Sequence, residues 1–380
     1  MTAPKKLNIA LFFSSNPSSA GGVQEHVLNL SKELRKRGHK ITIYGPSGKT
    51  KQYKNYHEIG NTIEVPLPNG NWASVQMLKP FVDLKKIFTR DKFDILHVQE
   101  PYIPLLAWSL VEQIKIPKVS TFHSAWDNSS VINTLNSVLP LFKMKFSENM
   151  DASIFVSQIT QKRWESICTK KVKKYVIYNA VDHNLFFPIK KKKSQTVKLL
   201  FLGRIVSRKG ILYLLRAFNM IAKELPHVKL DIVGAGAETG NMIRYINRNN
   251  LEKQVTYRGE ITGAKRVPYF QQADIFCAPY FDEASPLTIL EAMSCGCTIV
   301  GFQNEAAKES LKLYPHYADL LVEQKNTKEL AMALKKTILD QSLRQEIRKW
   351  CINESKKYSW DKVAKATEKV YYDVLRFRYA

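Results

Sequence analysis

Four charged residues define the chemistry open to this chain. Glu283 and Glu291 stand eight residues apart, separated by Ala284-Ser285-Pro286 and the run Leu287-Thr288-Ile289-Leu290. Ser285 is a good helix N-cap and Pro286 suits the first helical position, so the spacing predicts a helix that starts there. Its free amides and positive dipole end would face an anion. Glu283 then lies on the loop before the helix and Glu291 just over one turn inside it, one carboxylate on either side to hold hydroxyls. Arg204 and Lys209 stand five apart, after an apolar run that ends at Leu202-Gly203 and before Gly210. Two cations at a helix start suit a diphosphate. A diphosphate flanked by hydroxyls is the shape of a nucleotide-sugar. The competing reading is an ordinary loop with two solvated glutamates and a basic surface turn, and the rest of the chain must decide.

Two further loops carry candidates. Gly21-Gly22 follows the first apolar run and opens a helix, where glycine lets backbone amides approach a phosphate or sugar. This is not the full G-x-G-x-x-G fingerprint. His123 ends the strand-like run Ser120-Thr121-Phe122, and a histidine at a strand's carboxyl end faces the ligand side of an open sheet. Taken singly, a satisfied structural histidine is the commoner case.

These loops need a scaffold. The pattern predicts strands over 7–13, 40–44, 93–98, 118–122, 152–157 and 175–178, with a helix over 21–37. It restarts with strands over 198–202, 229–233, 255–258, 273–278 and 298–302, and a helix over 210–225. Apolar strands interleaved with helices imply parallel sheets covered on both faces. The expected fold class is α/β, two doubly wound Rossmann-like domains facing across a cleft. The expected divisions are an acceptor-binding domain over 1–180, a linker over 181–197 and a nucleotide-sugar domain over 198–359. A last helix near 360–380 is expected to pack back on the first domain. Lys190 to Lys193 reads as a solvated hinge segment.

Composition narrows the class. At 380 residues with 44% hydrophobic content, the chain can fill two cores. It contains no long apolar run of membrane-spanning type, and the apolar stretch after Lys6 is too short for a signal peptide, so a cytoplasmic protein is expected. Five scattered cysteines (Cys168, Cys277, Cys295, Cys297 and Cys351) read as reduced core thiols, with no metal-site spacing. The net charge of +24 is shared evenly between residues 1–190 and 191–380. An even spread without an aromatic-basic motif argues against nucleic acid and leaves a basic proteome or an anionic membrane surface as the account.

Taken together, the motifs resemble a retaining glycosyltransferase of family 4, with the GT-B fold. The resemblance runs from Gly21-Gly22-Val23-Gln24 to the terminal helices. Its core is Leu202-Gly203-Arg204, Arg208-Lys209-Gly210, and Glu283 through Glu291-Ala292-Met293. In the first half, His97-Val98-Gln99-Glu100-Pro101 and Thr121-Phe122-His123 look most like the phosphatidylinositol mannosyltransferases of mycobacteria. The resemblance implies that Arg204 and Lys209 bind the diphosphate and stabilise it as it leaves. It implies that Glu283 holds the donor sugar's hydroxyls, Glu291 the ribose, and His123 the sugar near its reacting face. The amides of Gly22, Leu287 and Thr288 would line the phosphates, with Gly21, Gly203, Ser285 and Pro286 completing the donor site. No cofactor is implied, the donor being a substrate, and no metal. The chain has no D-x-D.

The implied reaction moves a hexose, mannose from GDP-mannose, to a lipid such as phosphatidylinositol at the inner face of the cell membrane. A UDP-sugar, another glycolipid, a soluble or polysaccharide acceptor, and a non-catalytic sugar-nucleotide binder are the alternatives. Three departures from the family pattern bear on them. Ser285-Pro286 replaces the frequent Phe-Gly, and Pro286 cannot donate an N–H. Ile261-Thr262-Gly263, with Lys265 and Arg266, stands where the mannosyltransferases carry an Asp that reads guanine. Ser74 and Gln76 stand where arginines would meet a lipid phosphate. Trp72, Met77, Leu78 and Phe81, with Lys79, Lys85 and Lys86, form either a membrane-entering face or part of the first core. Trp126, Val131, Ile132, Leu135, Val138 and Leu139 pose the same choice.

Overall fold

The computed structural model describes residues 5–18, 21–66, 72–79, 82–101, 106–124, 149–168, 171–191 and 194–379. The chain divides into two compact units, Met1–Asn179 with Trp360–Ala380, and Ala180–Ser359.

The first unit is built on eight strands: β1 (Asn8–Phe13), β2 (Lys40–Pro46), β3 (Tyr56–Pro66), β4 (Trp72–Leu78), β5 (Ile95–Gln99), β6 (Lys118–Phe122), β7 (Ala152–Phe155) and β8 (Lys173–Val176). They lie in the order β4-β3-β2-β1-β5-β6-β7-β8. All neighbours pair in parallel except β3 and β4, an antiparallel hairpin that the apolar pattern does not predict. Its strand β3, between β2 and the edge strand β4, mixes His57, Glu58, Asn61, Thr62 and Glu64 into the run. Helices α1 (Gly22–Lys36), α2 (Leu84–Asp91), α3 (Leu106–Gln113) and α4 (Gln158–Trp164) complete this part of the chain among the described residues. Helix α1 forms because Val27, Leu30 and Leu34 recur on one face, which is buried, while Arg35 and Lys36 sit at its negative end.

The second unit has six parallel strands: β9 (Val197–Leu202), β10 (Val228–Val233), β11 (Val255–Tyr257), β12 (Ile275–Ala278), β13 (Thr298–Phe302) and β14 (Leu321–Val322). Their order is β11-β10-β9-β12-β13-β14, the Rossmann sequence of strands. Its helices are α5 (Ile211–Ala222), α6 (Thr239–Arg248), α7 (Val267–Gln272), α8 (Leu287–Cys295), α9 (Glu305–Ser310), α10 (Tyr317–Leu320), α11 (Thr327–Leu339) and α12 (Gln341–Ser355). The final helix, α13 (Trp360–Tyr379), belongs to the first unit, where Glu368 bonds Arg37 and His39.

The stretch expected to act as a linker, 181–197, is part of the second unit. Val181, Phe186 and Val197 are buried in its core, and Val181 bridges Ser359. Apolar side chains at those positions gain more from the core than from solvent. All five cysteines are free and buried. Ala20, residues 67–71, Phe81, Lys192, Lys193 and the group from Trp126 to Leu139 lie outside the described residues, as does the side chain of Trp72. Leu78 packs against the first core, whereas Met77 is exposed. Among the described residues no helix is long and apolar enough to cross a membrane.

Candidate active site

In the second sheet the direction of winding reverses between β9 and β12, so the loops leaving these strands open a crevice at their carboxyl ends. Those loops, 203–210 and 279–286, carry the predicted cations and Glu283. They are held close by glycine. Gly210 has φ +65°, and a Cβ there would run into the Pro279 carbonyl. Gly234 has φ +139°, and a Cβ there would strike the Gly203 carbonyl. Neither position accepts another residue without strain.

The charges interlock. The 3₁₀ turn Ser207–Lys209 presents two adjacent cations, and both reach the same oxygen: Lys209 Nζ lies 2.6 Å and Arg208 Nη1 2.7 Å from Glu283 Oε1. Arg208 also donates to the Asp282 carbonyl at 3.1 Å. Arg204 is exposed. Lys209 is 8% exposed, and its ammonium sits 3.8 Å above the centre of the Tyr280 ring. Burial lowers the Lys209 pKa to about 8, against the pull of Glu283. Burial alone would raise the Glu283 carboxyl, but Lys209 and Arg208 override it and hold it at about 2. Three cations against one carboxylate leave a positive excess for an anion.

Tyr280 ties this turn to α8. Its hydroxyl lies 3.3 Å from the Leu202 carbonyl and 3.4 Å from Thr288 Oγ1. The start of α8 differs from expectation. Pro286, not Ser285, is the N-cap: its backbone is extended (ψ 104°) and its carbonyl takes the first bond, from Ile289 N–H at 3.1 Å. Ser285 therefore precedes the cap, and Leu287 and Thr288 supply the leading amides. Glu291 lies within α8, buried, 2.5 Å from Arg266 Nη2. Arg266 comes from the loop after β11 and stacks on Phe186. Any hydroxyl held by Glu291 meets a carboxylate already engaged by a cation.

Gly21, Gly22 and His123 belong to the first unit. Gly21 is the N-cap of α1 and Gly22 its first residue. His123 follows β6, and its Nε2 is 2.7 Å from Gln99 Oε1. The His26 ring of α1 meets it edge to face at 4.5 Å, which links the α1 turn to His123. Burial and the neighbouring His26 and His97 push the His123 pKa well down, so the ring is neutral. Glu100 bonds the His123 N–H at 3.1 Å, and burial pushes its own carboxyl up to about 8.

The chain matches known proteins along most of its length. The model for glycosyltransferase family 4 matches residues 20–185, and the model for glycosyl transferases group 1 matches 182–357. The chain belongs to the family 4 glycosyltransferases. Among relatives of this transferase, the phosphatidyl-myo-inositol mannosyltransferase of Mycolicibacterium smegmatis is 28% identical over 365 residues, 92% of this chain and 90% of the relative. The Mycobacterium tuberculosis protein of that name is 29% identical over 303 residues, 77% of this chain and 76% of the relative. Sucrose-phosphate synthase from Thermosynechococcus elongatus shares the fold at TM-score 0.75 and 18% identity, covering 97% of this chain and all of its own. Anabaena HepE, solved with UDP and glucose, does so at 0.72 and 17%, covering 96% of this chain and 99% of its own. The fold is therefore GT-B.

Some residues that contact the predicted ones were not singled out by sequence. Arg208 shares the Glu283 oxygen with Lys209, and only its place in the Arg-Lys-Gly motif hinted at that. Tyr280 supports Lys209 by its ring, a role no spacing signals. Arg266 pairs with Glu291 across 25 residues, and Gln99 pairs with His123 across 24. Such contacts are set by strand order, which a single sequence does not print.

Proposed function

We propose that this glycosyltransferase moves mannose from GDP-mannose to a lipid acceptor such as phosphatidylinositol, with retention at the sugar carbon and without a metal. One observation carries the donor half: Arg208 and Lys209 meet on Glu283 at the switch point of the second sheet, beside the leading amides of α8. As the glycosidic bond breaks, negative charge grows on the β-phosphate. Arg204, Arg208, Lys209 and the α8 amides act on that charge, replacing a cation from solution. Glu283 holds sugar hydroxyls with the carboxylate that Lys209 orients. Glu291 holds the ribose beside Arg266. His123, neutral, contacts the sugar near its reacting carbon, where positive character develops and a charged imidazole would repel it. The leaving phosphate takes the acceptor's proton on the same face.

The relatives' name supports the mannosyl and inositol-lipid reading. Exposed Lys85 and Lys86 on α2, with Met77 exposed nearby in sequence, support a membrane-facing acceptor side at the inner leaflet. A second reading, a UDP-sugar donor and another glycolipid or saccharide acceptor, is favoured by the loop after β11. Its stretch 261–266 offers Lys265 and Arg266 and no carboxylate that could accept from a guanine edge, the loop's acid, Glu260, standing before that stretch and exposed. A panel of GDP-, UDP- and ADP-sugars scored by thermal melting decides between them. The true donor at a hundredfold excess over its Kd adds about 2.7 kcal/mol of stability. No shift with any donor would end both readings. Turnover unaffected by EDTA is expected for the metal-free route.

A further inference from the structure

A second polar arrangement lies in the first unit, and the transfer step described above uses only its end, His123. His97 and Gln99 are two apart on β5, and Thr121 and His123 two apart at the end of β6, in register Gln99 with Thr121. Residues two apart share a sheet face, so these four lie together. The Gln99 amide bridges two histidines: its Oε1 is 2.7 Å from His123 Nε2, and its Nε2 is 3.0 Å from His97 Nε2. Thr121 Oγ1 also meets His97 Nε2, at 2.7 Å, and His97 Nδ1 meets the Tyr371 hydroxyl of α13, at 2.7 Å. An amide oxygen only accepts and an amide nitrogen only donates. His123 therefore carries its proton on Nε2 and presents a bare Nδ1. His97 accepts on Nε2 and donates from Nδ1 to Tyr371.

Glu100 adds a second hold. It is a non-glycine residue at φ +56°, a conformation that costs about 1–3 kcal/mol. In a regular strand its side chain would point away from that of Gln99. The left-handed turn breaks the alternation and brings Glu100 Oε1 to the His123 N–H at 3.1 Å and the Ser124 hydroxyl at 3.4 Å. Its Oε2 is buried with no hydrogen-bond partner among the described residues.

We propose that Gln99 and Glu100 are the positioning residues of His123: Gln99 sets the imidazole's tautomer through a chain ending at Tyr371, and Glu100 sets its backbone. Among the described residues, the titratable groups around His123 are His26 from α1, and His97 and Glu100 from β5 and its end. Beyond His97 the chain closes on Tyr371 of α13. The catalytic consequence rests on the sugar-contacting role proposed for His123, but the tautomer does not.

The test is nitrogen NMR of the whole chain labelled at histidine, with His123 assigned by His123→Gln. The expected wild-type spectrum shows His123 protonated at Nε2 and bare at Nδ1. Gln99→Glu places a carboxylate on that N–H. The imidazole then takes a second proton nearer neutral pH, and kcat gains an acid limb that recovers as pH rises. Gln99→Leu mixes the tautomers and lowers kcat by about 10–100-fold, the scale for lost partners of ligating imidazoles. It adds no acid limb, and the donor-induced melting shift persists. Glu100→Gln, which keeps an acceptor for both donors, retains kcat that Glu100→Ala loses. A wild-type proton on Nδ1, or an unshifted His123 titration in Gln99→Glu, overturns the proposal. The assigned tautomer in a chain that turns over no nucleotide-sugar sinks the transfer reading and leaves the relay standing.

Discussion

In the second unit three cations surround one carboxylate. In the first, Gln99 joins His97 and His123, the His26 ring packs on His123, and all three imidazoles are pushed toward the neutral form. The cations keep their charge although Lys209 is buried, because Glu283 sits at 2.6 Å. The imidazoles lose theirs because burial is opposed only by neutral partners such as Asn179 and Gln99. The contrast fits a reaction whose two ends need opposite environments. A departing diphosphate asks for positive charge that is already in place. A sugar carbon gaining positive character asks for lone pairs and no added cation.

The contrast can be broken from the charged side first. Lys209→Ala is expected to lower kcat by roughly 10²–10³, measured by nucleotide release, the scale for one charge-stabilising donor. Full activity in that variant would remove Lys209 from the mechanism. Glu283→Gln comes next. It leaves Arg208 and Lys209 with a neutral partner and should cost about 2 kcal/mol of stability by denaturant titration, while nucleotide binding is kept or tightened by the added positive charge. The sign with pH follows from the directions above. Glu283 has a depressed pKa, so its contribution to stability is present above the unfolded carboxyl's range and fades as pH falls toward about 2. Lys209 has a lowered pKa, so kcat/KM should fall as pH rises through about 8, where the free enzyme loses that cation. The kcat limb should lie higher, since bound diphosphate favours the ammonium. The smallest effect belongs to the proposed acceptor side. Replacing Lys85 and Lys86 by Ser should weaken binding to anionic vesicles by about 1 kcal/mol per lysine, read by co-sedimentation at low salt, with donor-induced melting unchanged.

Much of the scaffold is legible because parallel strands buried on both faces write themselves as apolar runs. β6 and β13 begin and end where the pattern places them, and β1 differs by one residue. The β3–β4 hairpin is not legible, since polar residues interrupt its alternation. In the proposed donor half, Arg204, Lys209, Glu283 and Glu291 are legible as residues with charge at telling spacings. Their partners are less so. Whether Glu291 faces open solvent or Arg266 depends on how the loop after β11 folds over α8, and no local rule carries that. The N-cap shifted by one residue because the proline's extended backbone left its own carbonyl to open the helix, a choice that Ser285's good capping propensity does not foretell.

The return of α13 to the first unit has a consequence for how the chain comes into being. Everything from Ala180 to Ser359 is interposed between two parts of one body, pinned at its base by the Val181–Ser359 bridge. During synthesis the interposed body has all its residues early and can fold as an uninterrupted segment. The unit whose two parts flank it in sequence must wait for residues 360–379, and with them Tyr371, before His97 finds its partner. A nascent chain that had emerged from the ribosome as far as Ser359 and no further would hold one finished half and one with its histidines still unset.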